Sequence, residues 1–287
     1  MHRCAFLTLE DPSNFCIYDH LLLGPLAALG WAVEEIPWDR PGVEWSAFDA
    51  VVVRSTWDYQ KDPDSFLEVL RSIESRTRLY NPLSVCRWNL NKRYLQSLCE
   101  KGVCIVPTQW LDKLTTGAIQ AAFTSAGCDC LVAKPLVGAN ADDTFVLRAS
   151  APEAWGAAIS VFKQRALMLQ PFVESIHSEG EYSLFYFGGE LSHAIVKRPA
   201  DGDFRVQEEH GGVITPVDPA PDIVEAAAIA LGAIEEILLY ARVDLVRLAG
   251  GQPALMEMEL IEPSLYFEQC VGSAEKFARA FVEMASA

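Results

Sequence analysis

No stretch of this 287-residue chain approaches the ~20 consecutive apolar residues that a membrane-spanning helix requires. Leu21 to Leu29 is apolar, but Gly24 and Pro25 interrupt it and His20 lies beside it. The N-terminus enters a strand-like run at Cys4 without the basic region, long apolar stretch and cleavage site of a signal peptide. Asn-X-Ser/Thr sequons are absent. A cytoplasmic chain is therefore expected. Basic residues are scarce, with 23 Lys and Arg against 39 Asp and Glu, and residues 201–287 hold 16 acidic against 5 basic. Such a surface repels phosphate backbones and anionic headgroups, which excludes nucleic acid and membranes as partners. Of the eight cysteines only Cys128 and Cys130 are close neighbours, and a C-x-C pair lacks the second ligand pair of a zinc site. Cys4, Cys16, Cys99 and Cys104 sit among apolar residues and read as buried free thiols. Also missing are the G-x-x-x-x-G-K-[ST], G-x-G-x-x-G, H-E-x-x-H and G-x-S-x-G signatures. A nucleotide, if bound, must be held by another device.

What is present first is a rhythm of strands and helices. Cys4–Leu9, Trp31–Ile36 and Ala50–Arg54 read as strands, with a turn at residues 10–14 and a helix from about Phe15 to Leu29. Asp62-Pro63 opens a helix that carries Phe66, Leu67, Leu70 and Ile73 on one face. This βαβ pattern implies a parallel sheet whose carboxyl edge bears Arg54, Ser55, Thr56, Trp57 and Tyr59. Asn81-Pro82 breaks the pattern and sets a domain boundary. Beyond it come a helix near Lys92–Lys101 and strands at 103–106, 130–134, 144–147 and 167–170, with helices near 118–126 and 153–163. Two hairpins follow, turned by Gly188-Gly189 and Gly250-Gly251, with a helix at about 222–239 between them. A last helix begins near Ser273.

Three constellations carry chemistry. Asp244 lies on one strand of the second hairpin, and Glu257 and Glu259, two apart, project from one face of its partner. Pairing through Gly250-Gly251 sets Asp244 opposite them. Three carboxylates on one face repel unless a cation sits between them, and magnesium fits hard oxygen donors; a solvated outer face is the plainer alternative. Second, Lys134 ends a strand and leads into the small-residue loop 136–143, where it can reach phosphates; Lys92 opens an earlier helix. Third, Arg198 and Arg205 flank a polar loop before Gly211-Gly212, either around a shared anion or paired with Asp201, Asp203, Glu208 or Glu209. His193 reads as structural, and His210 as the better histidine candidate for a site.

Taken in order, Lys92, Lys134-Pro135, Gln170-Pro171-Phe172-Val173-Glu174, Gly180-Glu181, Arg198, Arg205, Asp244 and Glu257-Met258-Glu259 resemble the ATP-grasp superfamily. The likeness is nearest to the glutathione synthetase-like and ribosomal-protein glutamate ligase-like branch, which includes the ligase that closes D-cycloserine. It covers about Asn81 to Phe267, and more loosely the N-terminal domain. The resemblance implies an α/β chain: an N-terminal parallel-sheet, Rossmann-like substrate domain (1–81), an ATP-grasp central lobe (82–170) and a C-terminal lobe with the metal site (171–287). By the same likeness Lys92 and Lys134 would hold ATP phosphates, Gln170, Pro171, Phe172 and Val173 the adenine, and Glu181 the ribose. Asp244, Glu257 and Glu259 would hold two Mg2+ ions, and Arg198 and Arg205 would stabilise the transferring phosphoryl group. Arg54, Ser55, Thr56, Glu262 and Ser264 are candidates for the small carboxylate and amine substrates. Two departures stand out: the loop 138–143 has a single glycine, and Glu259 replaces an expected Asn. The implied activity is ATP-dependent carboxylate–amine ligation through an acyl phosphate. Intramolecular ring closure, small-molecule phosphorylation and a non-catalytic nucleotide-binding regulator are the alternatives, and both a monomer and a homo-oligomer remain open.

Overall fold

The computed structural model describes residues 1–13, 15–139 and 141–286. Asn14 of the expected first turn, Asn140 of the loop after Lys134 and the side chain of Glu209 lie outside the described residues. The first 80 residues supply β1 (His2–Thr8), β2 (Trp31–Pro37), β3 (Ala50–Ser55) and β4 (Arg78–Tyr80), all parallel in the order β2-β1-β3-β4. Central strands β1 and β3 are continuous apolar runs because both faces are covered. Cys4, Phe6, Ala50 and Val52 meet Leu22, Leu26, Phe277 and Phe281 on one side. Ala5, Leu7, Val51 and Val53 meet Phe66, Leu70 and Ile73 on the other.

Helix α1 (Leu23–Ala28) follows a single 3-10 turn at Asp19–Leu22, so the helix expected from Phe15 is cut to its second half. The physical reason is Pro25: its ring clashes with the carbonyl four residues back and is tolerated only in a first turn. Helix α2 (Pro63–Glu74) begins as its sequence dictates, with the Asp62 carboxylate accepting the Ser65 N–H at 3.2 Å.

Helices α3 (Leu83–Asn89) and α4 (Tyr94–Glu100) come next, α3 having no counterpart in the sequence reading. The run 103–106, expected as a strand, pairs only at an isolated Ile105–Leu255 bridge before Pro107 ends it. A four-stranded antiparallel sheet then forms from β5 (Gln109–Leu111), β6 (Cys130–Pro135), β7 (Phe145–Arg148) and β8 (Leu167–Pro171) in the order β5-β8-β6-β7. Helices α5 (Thr116–Ala126) and α6 (Gly156–Val161) cover it, burying Ile119, Ala122 and Ala158 against Leu131, Ala133 and Leu169.

A short α7 (Ser175–Ser178) leads into the largest sheet. It comprises β9 (Glu181–Phe187), β10 (Glu190–Arg198), β11 (Val213–Pro216), β12 (Tyr240–Arg247) and β13 (Pro253–Glu259), ordered β11-β10-β9-β12-β13 and antiparallel throughout. Gly188 and Gly189 sit at φ 57° and 85°, the positive values that a two-residue hairpin turn demands. Helix α8 (Pro221–Gly232) ends earlier than expected, because Leu238 and Leu239 are drawn into the core on the way to β12. Helix α9 (Ser273–Ser286) closes the chain against the parallel sheet.

Asn81, the break in the sequence pattern, is fully buried. Its amide donates to the carbonyls of Tyr240 and Leu260 at 2.9 and 2.8 Å and accepts the Leu239 N–H at 2.8 Å. The residue thus ties the end of the parallel sheet to both strands of the β12/β13 hairpin. Among the described residues no disulfide forms; Cys16 and Cys99 are exposed, contrary to the buried thiols expected, and Cys99 lies on the face of α4 turned away from the core that Leu95 and Leu98 enter. No helix is long and apolar enough to cross a membrane among the described residues.

Candidate active site

One cavity opens between the ends of β6 and β8, the β9–β10–β12–β13 sheet and the loop after β3. Register explains its charge. Directly opposed across the sheet are Lys197 and Glu181, Asp244 and Glu257, and Arg242 and Glu259, and all six side chains line the cavity. The two hairpins reach this register through bulges, at Leu191–His193 on β10 and at Asp244/Leu245 on the β12/β13 pair. The three acidic residues expected to gather are therefore brought together.

Each of them is held by a basic side chain. Glu257 pairs with Lys92, and Glu259 with Arg242. Asp244 receives Arg242 Nη2 at 3.0 Å and Lys197 Nζ at 3.5 Å, and also accepts the Ser183 hydroxyl. Lys197 further pairs with Glu181 at 2.6 Å. Burial alone opposes charge on these groups, yet the opposite charges win at most of them. Asp244 is held below the usual carboxylate range by Arg242 and Lys197, and Glu257 by Lys92. Glu259 is the exception: burial, followed by the negative charges of Glu257 and Asp244, pushes it up to about 7 despite Arg242. Arg242 is shared with Asp244 and cannot neutralise both. Glu262, also in the wall, is pushed up to about 8 by burial and then by Glu259.

Three acidic side chains thus share one stretch of the cavity wall, and their hard oxygen donors suit a divalent ion. The fit is one of charge and donor type. Among the described residues the carboxylates do not converge into a three-ligand group, because their Lys and Arg partners hold them apart.

Of the nucleotide candidates, Lys92 and Lys134 both line the cavity. Lys134 has no ion-pair partner among the described residues; its Nζ lies 3.4 Å from the Met256 sulfur, and burial lowers its pKa. An unpaired, desolvated cation facing a cavity calls for an anion. Gln170, Pro171, Phe172 and Val173 form one wall. Gln170 Nε2 donates to Thr108 Oγ1 at 2.9 Å, the Phe172 N–H is taken by the Cys130 carbonyl at 2.9 Å, and the Val173 carbonyl accepts the Ile176 N–H at 3.2 Å. Those two main-chain groups are spent within the fold. In the loop 138–143, Gly138, Ala139, Ala141 and Asp142 line the cavity, while Asp143 turns to Arg165 at 2.5 Å.

Several expectations are corrected. Arg198 is exposed and does not line the cavity; alternation on β10 places Lys197 there instead. Arg205 does line it, with its guanidinium forked onto Asp203 through Nη2 at 2.7 Å and Nε at 3.1 Å. Arg54, Ser55 and Thr56 are buried and absent from the cavity wall. Arg54 bonds Asp19 at 2.8 Å and the Pro263 carbonyl at 3.1 Å, a clamp within the core. From the same loop it is Trp57 and Tyr59 that reach the cavity, with Glu262, Ser264 and Tyr266 facing them. His193 stacks on Phe185 at 4.3 Å, its Nε2 is 3.0 Å from the Leu265 carbonyl, and burial lowers its pKa to about 4; it is structural, as expected. His210 does not line the cavity. Lys197 and Arg242 are the residues that sequence reasoning missed.

A family model described as the N-terminal domain of D-cycloserine synthetase DcsG matches residues 4–81. The chain is 34% identical over 275 residues to the cycloserine biosynthesis protein DcsG of Streptomyces lavendulae, covering 91% of this chain and 92% of the relative. It superposes on the crystal structure of D-cycloserine synthetase DcsG with a TM-score of 0.88 at 32% identity, over 99% of both chains. An ATP complex of D-alanine–D-alanine ligase from Bacillus anthracis gives 0.70 at 15% identity, over 100% of this chain and 98% of that one. The ATP-grasp ligase PsnB, complexed with Mg, ADP and a precursor variant, gives 0.67 at 16%, over 98% of both. These last two share the fold.

Proposed function

The chain belongs to the D-cycloserine synthetase family of ATP-grasp ligases, and from that premise we propose that it activates a small amino-acid-like carboxylate as an acyl phosphate for attack by a nitrogen nucleophile. The observation that carries this reading is the cavity's pairing of a free cation, Lys134, with a shared array of Lys92, Lys197, Arg242 and three carboxylates. A carboxylate is a poor acyl donor because oxide is a poor leaving group. In the proposed first step its oxygen attacks the γ-phosphorus of ATP, the bond to the β,γ-bridging oxygen breaks, and ADP departs. The nitrogen then attacks the acyl carbon, phosphate leaves with the C–O electron pair, and the nitrogen gives up a proton.

Both steps depend on positioning and charge neutralisation. Lys92, Lys134, Lys197 and Arg242 hold the phosphate oxygens, and Arg205 approaches from the 203–207 segment. Gln170 to Val173 flank the base, and Glu181 lies where it can accept ribose hydroxyls. Asp244, Glu257 and Glu259 would hold magnesium, which would supply further charge neutralisation for phosphoryl transfer, and Lys92 and Arg242 would then be free to turn from these carboxylates to phosphate oxygens. We assign residues 1–81 to a substrate domain, 82–170 to the central lobe and 171–287 to the metal-bearing lobe, with the Asn81 junction between the first two.

The likeness to D-cycloserine synthetase favours a version in which carboxyl and nitrogen belong to one molecule and a ring closes. Incubation with Mg·ATP, hydroxylamine and a panel of small amino-bearing carboxylates tests the reading. Hydroxamate formed in step with ADP is expected. A phosphorylated product stable to hydroxylamine would make the protein a kinase.

A further inference from the structure

Among the buried carboxylates of the cavity, one is left without a counter-ion. Glu181, Asp244, Glu257 and Glu259 each pair with Lys or Arg, whereas Glu262, 8% exposed, has no ion-pair partner among the described residues. Its carboxyl accepts the Tyr59 hydroxyl, and Lys92, paired with Glu257, acts on it only through its charge. The residue's position is nonetheless tightly specified. Trp57 Nε1 donates to the Glu262 carbonyl at 2.7 Å, and Arg54, anchored on Asp19, donates to the next carbonyl at 3.1 Å. The loop after β3 thus grips this segment.

A desolvated carboxyl without a cation is costly to ionise, and a ligand cation relieves that cost. Beside Glu262 the wall is built from Trp57, Tyr59 and Tyr266. We propose that Glu262 binds the ammonium group of the substrate and so selects carboxylates that carry a free amine. The inference rests on the ligase reading above and assigns the amine to the part of the wall that the loop after β3 holds.

Titration calorimetry in saturating Mg·ADP decides it, with D-cycloserine and isoxazolidin-3-one, the same ring without the amine, as probes. The wild type is expected to bind the amine-bearing ring about 30-fold more tightly, the factor typical of losing one partner of a buried charge pair. Glu262→Gln is expected to erase that preference while Mg·ADP affinity is unchanged, which also shows that the variant folds. Tyr59→Phe is expected to weaken the preference by a smaller factor. A wild type that does not discriminate, or a Glu262→Gln variant that still does, overturns the proposal. So does loss of Mg·ADP affinity in Glu262→Gln, which would assign the carboxyl to the metal. A wild type selective for the amine but unable to bind Mg·ADP would sink the ligase reading and leave the role of Glu262 standing.

Discussion

The two faces of the five-stranded sheet are made from alternate residues of the same strands, yet they are built on opposite principles. One carries Leu184, Tyr186, Ala194, Ala241, Val243 and Leu245, which pack with Ile223, Ala227 and Ala230 of α8 into a continuous apolar core. The other carries Glu181, Ser183, Lys197, Arg242, Asp244, Glu257 and Glu259, and only towards its far end does it return to Phe185, Phe187 and Tyr240. Burying ions on a sheet gains little stability even when they are paired, since desolvation offsets most of the attraction. The ionic face is therefore explained by what it binds, and the apolar face by what it holds together. Substitutions on the two faces should separate turnover from stability.

Glu257→Gln removes a carboxylate without changing shape and is expected to lower ATP turnover by about 10³-fold, with the unfolding midpoint kept. Steady-state kinetics beside a denaturation curve checks it. Leu184→Ala, on the other face, should cost about 3 kcal/mol of stability while the folded fraction keeps its turnover. Loss of turnover without loss of stability there would erase the distinction between the faces.

A finer cut lies between neighbours on β10. Lys197→Ala is expected to slow turnover about 100-fold, whereas Arg198→Ala should change it by less than about twofold. His193 marks where the ionic region ends, opposite Phe185. Its folded pKa of about 4 lies below the ordinary 6.5, so the unfolded chain takes up its proton first as pH falls. Stability complete above pH 6.5 should drop by about 3 kcal/mol as pH falls towards 4, and His193→Gln should flatten that slope in urea titrations.

Much of this was legible from sequence because it depends on short spacings. Glu257 and Glu259 are two apart on one strand, Asp62-Pro63 announces a helix, and the paired glycines announce two turns. The phase of β10 was not legible. Counting back from Gly188-Gly189 sets Val196 opposite Glu181, and the bulge at Ser192 moves Lys197 into that place. A bulge leaves no mark in the residues themselves, so Arg198, with its recognisable fork, was expected at the cavity where its neighbour Lys197 lies. Arg242 could have been read from its i, i+2 relation to Asp244, but an arginine among three acids looks like charge balance until the register is known. Arg54 to Thr56 were misplaced for another reason. The carboxyl edge of β3 is covered by Asp19 and by residues 262–264, long-range contacts that no local pattern announces.

Transfer of label from the substrate carboxylate is the most direct measurement of the central claim. With both carboxylate oxygens of an accepted substrate replaced by 18O, an acyl phosphate intermediate predicts one 18O atom in the phosphate released per turnover. Phosphate free of label, with product formed at the normal rate, would contradict it.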